Sequence, residues 1–135
     1  PWRRNFGFMS QLEFKEEILH RLQEQDPRYD GRAYLLVLAS LNHVMDGLTE
    51  RRHITGRELA EGLREVAIQR FGLMARAVLA DWGMDCTEDV GRIVFALVEC
   101  GVLVKQDEDR IEDFRGVFDF REAFEDAYPW GAHLR

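Results

Sequence analysis

The chain has 135 residues, 46% of them apolar and 32% charged, the makeup of one globular domain that can bury about two thirds of its unfolded surface. A net charge of −7 sets it against nucleic acid and anionic membrane unless a local basic patch intervenes, and no apolar run nears the ~20 residues of a bilayer-spanning helix. The two cysteines, Cys86 and Cys100, form no CxxC pair and support neither a disulfide framework nor a zinc site, so a reduced, cytoplasmic setting is expected.

The opening PWRRNFGFMS has arginines but no apolar run of the signal-peptide kind. Met9-Ser10 has the look of a natural start, so residues 1–8 are set aside as an added or disordered extension, and one domain is expected over 9–135. Ser10 and Glu13 form an S-x-x-E capping box, after which Phe14, Ile18, Leu19 and Leu22 share one face of a helix that ends before Asp26-Pro27. Asp30 can cap the next helix, over about 32–48, whose apolar residues run nearly all the way round and mark it as the most buried element. A second capping box, Thr55 to Glu58, opens a helix with its stripe on Leu59, Leu63, Val66, Ala67 and Phe71, and Gly72 is placed to end it.

A shorter helix follows over 73–82. Thr87 is the expected cap of the next, in which Val90, Ile93, Val94, Leu97 and Val98 face one way and Gly101 is the stop. The β-branched run at 102–105 and the segment 116–120 suit an antiparallel pair, and Asp119 with Glu122 is a third capping box, for a last helix that Pro129 closes. The expected fold is therefore mostly α, α+β in detail: five to six helices with a small antiparallel β-ribbon and no internal repeat.

Helix, helix, helix and ribbon in that order resemble a winged helix-turn-helix over about 53–120, on the residues WGMDCTEDVGRIVFALVECGVLVKQ. The resemblance implies nucleic-acid reading by the helix that starts near Thr87, or protein docking, a role that winged helices also fill. The whole chain is also similar to a family of short bacterial conserved hypothetical proteins, on DPRYDGRAY, HITGREL, ALVECGVL and the terminal YPW. That family carries no assigned activity, so the likeness implies no catalytic residue.

The charge pattern opposes DNA reading. Glu88 and Asp89 occupy the first turn where a recognition helix meets bases, and Asp107, Glu108, Asp109, Glu112 and Asp113 outnumber Lys105, Arg110 and Arg115 in the expected wing. The one concentrated basic patch is Arg51, Arg52, His53 and Arg57, beside the helix start at Thr55. There guanidinium groups and free N–H donors could hold an anion or nucleic acid, or else pair with Glu50, Glu58 and Glu61.

The turn DEDRIED fails the calcium-loop pattern, and the Glu16/His20 and His43/Asp46 spacings lack a third ligand. No nucleophile elbow, P-loop or dinucleotide fingerprint is present, so no enzyme, metal or cofactor is expected. Phe95 lies off the main stripe of its helix, and Tyr128 and Trp130 follow the last helix. These aromatics either fold back on the core or meet a protein partner or a second copy. A non-enzymatic interaction module is the leading expectation, and a nucleic-acid-binding regulator using 51–57 is the alternative.

Overall fold

The computed structural model describes residues 3–4, 11–50, 52 and 54–126, with backbone alone for 3–4, 11–16 and 126. It is mostly helical. The first helix, α1, spans Gln11–Gln25, and Asp26 closes its last turn by donating its N–H to Leu22 O. Asp30 then caps α2, Gly31–Asp46, accepting from Arg32 N at 2.9 Å. Eight of the sixteen residues of α2 are buried, from Gly31 to Leu41, so this helix runs through the middle of the core as its all-round apolar pattern requires.

The next helix, α3, spans Gly56–Phe71 and begins with the full capping box: Glu58 N donates to Thr55 Oγ1 at 3.1 Å and Thr55 N to Glu58 Oε1 at 3.2 Å. It packs closely on α2. At the crossing a side chain on Gly62 would come within 2.3 Å of Val44, so only a bare backbone lets the helices approach this far. Gly72, at φ 55°, turns the chain out of α3 into a 3-10 turn, Gly72–Met74, and the short helix α4, Ala75–Asp81.

The fifth helix, α5, spans Thr87–Glu99. Its N-cap is Cys86, not the expected Thr87, because the Thr87 hydroxyl is spent elsewhere: it donates to Phe114 O at 2.6 Å and accepts from Val117 N at 3.2 Å. After Gly101 the strand β2, Leu103–Val104, pairs antiparallel with β1, Arg3–Arg4, which lies in the segment set aside on sequence. The expected ribbon between 102–105 and 116–120 is not formed; residues 116–120 carry no strand. Phe118, Phe120 and Phe124 cluster with ring centroids 5.2 to 6.0 Å apart, and the chain coils from Phe120 into a π-helical turn, Glu122–Asp126.

Between β2 and that turn the chain lies across α3 and α5. Its anchor is Phe114, fully buried in a 3-10 turn, Ile111–Phe114. The ring rests on two glycines, one from each helix: a Cβ on Gly56 would stand 3.0 Å from it and one on Gly91 2.8 Å. The acidic cluster expected to form a wing is turn chemistry here. Asp109 accepts from Gln106 N at 2.8 Å and Asp113 from Arg110 N at 3.0 Å, each carboxylate fixing a backbone donor three residues earlier.

Candidate functional site

Of the basic patch, Arg51 and His53 lie outside the described residues. Arg52 forks onto the Glu58 carboxylate at 3.0 and 2.7 Å, and chiefly this contact holds the Glu58 carboxyl down to about 2. The same carboxylate occupies the α3 N-terminus, so an incoming anion would have to displace it from both the helix dipole and the guanidinium. Arg57 lies on the wall of a cleft of about 400 Å³ between the end of α2 and the start of α3, together with Glu58, Glu61 and Glu65. Across the cleft His43 Nε2 meets Glu65 Oε2 at 2.8 Å, and Glu61 reaches Arg64 at 3.3 Å. Three carboxylates beside one guanidinium make the cleft a poor receptor for phosphate.

The start of α5 is a second polar cluster. Asp89 is buried and accepts from Tyr29 Oη at 2.5 Å, Arg92 Nη1 at 2.6 Å, Asp85 N at 2.8 Å and Cys86 N at 3.3 Å. Burial works against its charge, but these donors outweigh burial and hold the carboxyl below its ordinary value. Tyr29, at the loop between α1 and α2, is raised by burial first and by Asp89 second. Arg92 is raised mainly by its contacts with Tyr29 and Asp89. The cluster is thus a clasp that ties the loop before α2 to the first turn of α5. Cys86 beside it is pushed up by burial, away from the thiolate a nucleophile needs.

The clasp and the covering segment engage much of α5. Seven of the thirteen α5 residues are buried, Phe114 covers its glycine face, and Arg92, the cation on its outer side, is bound to Asp89. Phe95 is half-buried and packs against the core, while Tyr128 and Trp130 lie outside the described residues. Among the described residues no group of three His, Cys, Asp or Glu side chains could hold a metal ion, and no helix is long and apolar enough to cross a membrane.

The feature that sequence reasoning missed is a corner between α3 and α4. Leu73 and Met74 are adjacent and 55% and 60% exposed, the most open of the large apolar side chains described. Their run in FGLMA carried no signal of exposure, since adjacent large apolar residues are buried together elsewhere in the fold, as Leu36, Val37 and Leu38 are in α2. No family model, no curated protein and no solved structure matches the chain.

Proposed function

We propose that this chain is a non-enzymatic protein-interaction domain whose docking surface is centred on Leu73 and Met74. The observation that carries this reading is the exposure of two adjacent large apolar side chains on the 3-10 turn between α3 and α4. Burying such side chains contributes roughly 1.5–3 kcal/mol each, enough to make them the centre of an interface with a polar rim. Arg70 and Arg76 supply charge around the corner, with Arg76 bridged to Glu125 at 3.0 Å.

The nucleic-acid reading draws less support. It rests on Arg52 and Arg57 of the described residues, and the first is engaged by Glu58 while the second stands among carboxylates. The winged-helix likeness of the second half stays a proposal on helix order alone, because 116–120 lacks the second wing strand and β2 pairs with residues 3–4 instead.

The test is affinity capture of the tagged full chain from its host cells, comparing wild type with Leu73→Glu combined with Met74→Glu. Both sites are exposed, so the fold should be retained within ~0.5 kcal/mol. A partner that is captured by wild type and lost in the double variant supports the reading. Capture that is indifferent to the substitutions moves the surface elsewhere, and no specific capture at all sinks it.

A further inference from the structure

The chain from Arg110 to Val117 lies over the fold and enters it at one residue. Arg110, Ile111, Glu112, Asp113, Arg115 and Gly116 are exposed, Val117 is half-buried, and Phe114 alone is buried. Even the apolar Ile111 points outward, at 41% exposure. The backbone bonds inside the segment are local. Asp113 N donates to Arg110 O at 3.1 Å, Arg115 N to Glu112 O at 3.0 Å, and Arg110 N to the Asp113 carboxylate at 3.0 Å. Among the described residues, its hydrogen bonds to another element meet a single hydroxyl: Thr87 Oγ1 donates to Phe114 O and accepts from Val117 N.

Both flanks of the segment are tied down. Leu103 is buried in β2 before it, and Phe120 and Phe124 are buried after it. Gly116, at φ 59° with open space where a Cβ would stand, gives the backbone freedom to pivot near the second flank. Beneath the Phe114 ring lie the bare backbones at Gly56 of α3 and Gly91 of α5. The large buried side chains of those helices, such as Leu59, Leu63, Ile93 and Leu97, belong to the common core with α2.

We infer that residues 110–117 are a latched strap, which lifts as one unit from an otherwise intact fold and bares a slot one aromatic ring wide between α3 and α5. The latch is the Phe114 ring together with the Thr87 hydroxyl. A segment with one buried side chain and solvent-exposed backbone bonds opens at lower free energy than the helices it lies on. The tied flanks make the opening a local one, and the glycine floor means that no side chain at those two positions holds the ring down. The strap is independent of the Leu73 and Met74 surface, so neither inference depends on the other.

Native-state hydrogen exchange of the full chain in sub-denaturing urea, followed amide by amide by NMR, tests the strap. The amides of Asp113, Arg115 and Val117 should exchange as a group, at least ~100-fold faster than the best-protected amides of α2. Their rates should depend little on urea, because the opening exposes little surface. Thr87→Val keeps the size of the side chain, leaves the Cys86 cap of α5 in place and removes the hydroxyl, so it should speed the group by ~10-fold. Strap amides whose rates climb with urea as steeply as those of α2 would open only with the whole molecule, and that result overturns the inference. Unrelated rates among the three amides, or a group indifferent to Thr87→Val, overturn it as well.

Discussion

Gly91→Ala is the substitution whose sign separates packing from propensity in this fold. On an isolated helix the change would stabilise by about 0.8–1 kcal/mol, since alanine is the better helix former. Here the new methyl would stand 2.8 to 3.0 Å from three carbons of the Phe114 side chain, closer than a real Cβ tolerates. The ring has little room to retreat, because its other side lies so near Gly56 of α3 that a Cβ there would stand 3.0 to 3.1 Å from it, and the Phe114 carbonyl is held by Thr87 at 2.6 Å. Overpacking of this kind costs about 1–3 kcal/mol, so the net effect should be a loss of up to roughly 2 kcal/mol after the propensity gain.

Urea unfolding followed by circular dichroism reads the change directly, with an unchanged slope showing that the midpoint reports stability. The same substitution in a Phe114→Leu background should cost at least ~1 kcal/mol less, as expected of two residues in contact. If Gly91→Ala raises the midpoint, or costs the same in both backgrounds, Phe114 is not the anchor of the segment that covers α5.

Tyr34 is fully buried, its hydroxyl has no hydrogen-bond partner among the described residues, and burial pushes its phenol up to about 12. Tyr34→Phe should therefore be neutral or stabilising by up to ~1 kcal/mol in the same assay, where a satisfied hydroxyl would give a clear loss. Asp89→Asn should cost about 2–4 kcal/mol at neutral pH by breaking up the clasp with Tyr29 and Arg92.

Because the Asp89 carboxyl is lowered in the fold, its contribution is complete above the unfolded-state value near ~4 and disappears as pH falls through the folded one. The acid limb of a stability profile should be shallower in Asp89→Asn, with the remaining slope owed in part to Glu58; an unchanged limb would refute the assignment. Thr55→Ala should cost ~1 kcal/mol through the lost cap of α3, and fluorescence anisotropy with duplex DNA should show no binding at low salt that depends on Arg52 or Arg57.

What was legible in the sequence was local. The caps at Asp30 and at Thr55 with Glu58, and the glycine stop at 72, act within four residues of themselves, and each stands where the pattern placed it. The pairing of Arg52 with Glu58 was likewise one of two foreseen outcomes for the basic patch. What was not legible depended on distant partners. Thr87 reads as a cap until its hydroxyl is known to serve Phe114, 27 residues on.

Asp89 reads as a surface charge facing a phosphate backbone. One of its partners, Tyr29, lies 60 residues earlier, and the pair is buried. Residues 116–120 have strand-forming composition, yet Phe118 stacks on Phe120 and both meet Phe124 edge-on, a cluster that takes the place of the expected ladder. The exposed corner was hidden for the opposite reason. Leu73 and Met74 look like core residues by type, and only the reversal at Gly72 turns them out.

The most direct test of the account is site-specific photo-crosslinking in living cells, with a photoreactive residue at Leu73, Met74 or Ala77 and, as controls, at Glu24 and Glu108 on other exposed surfaces. Discrete protein adducts are expected from these three positions, and none from the controls. Adducts from the controls alone, or from none of the five positions, would contradict it.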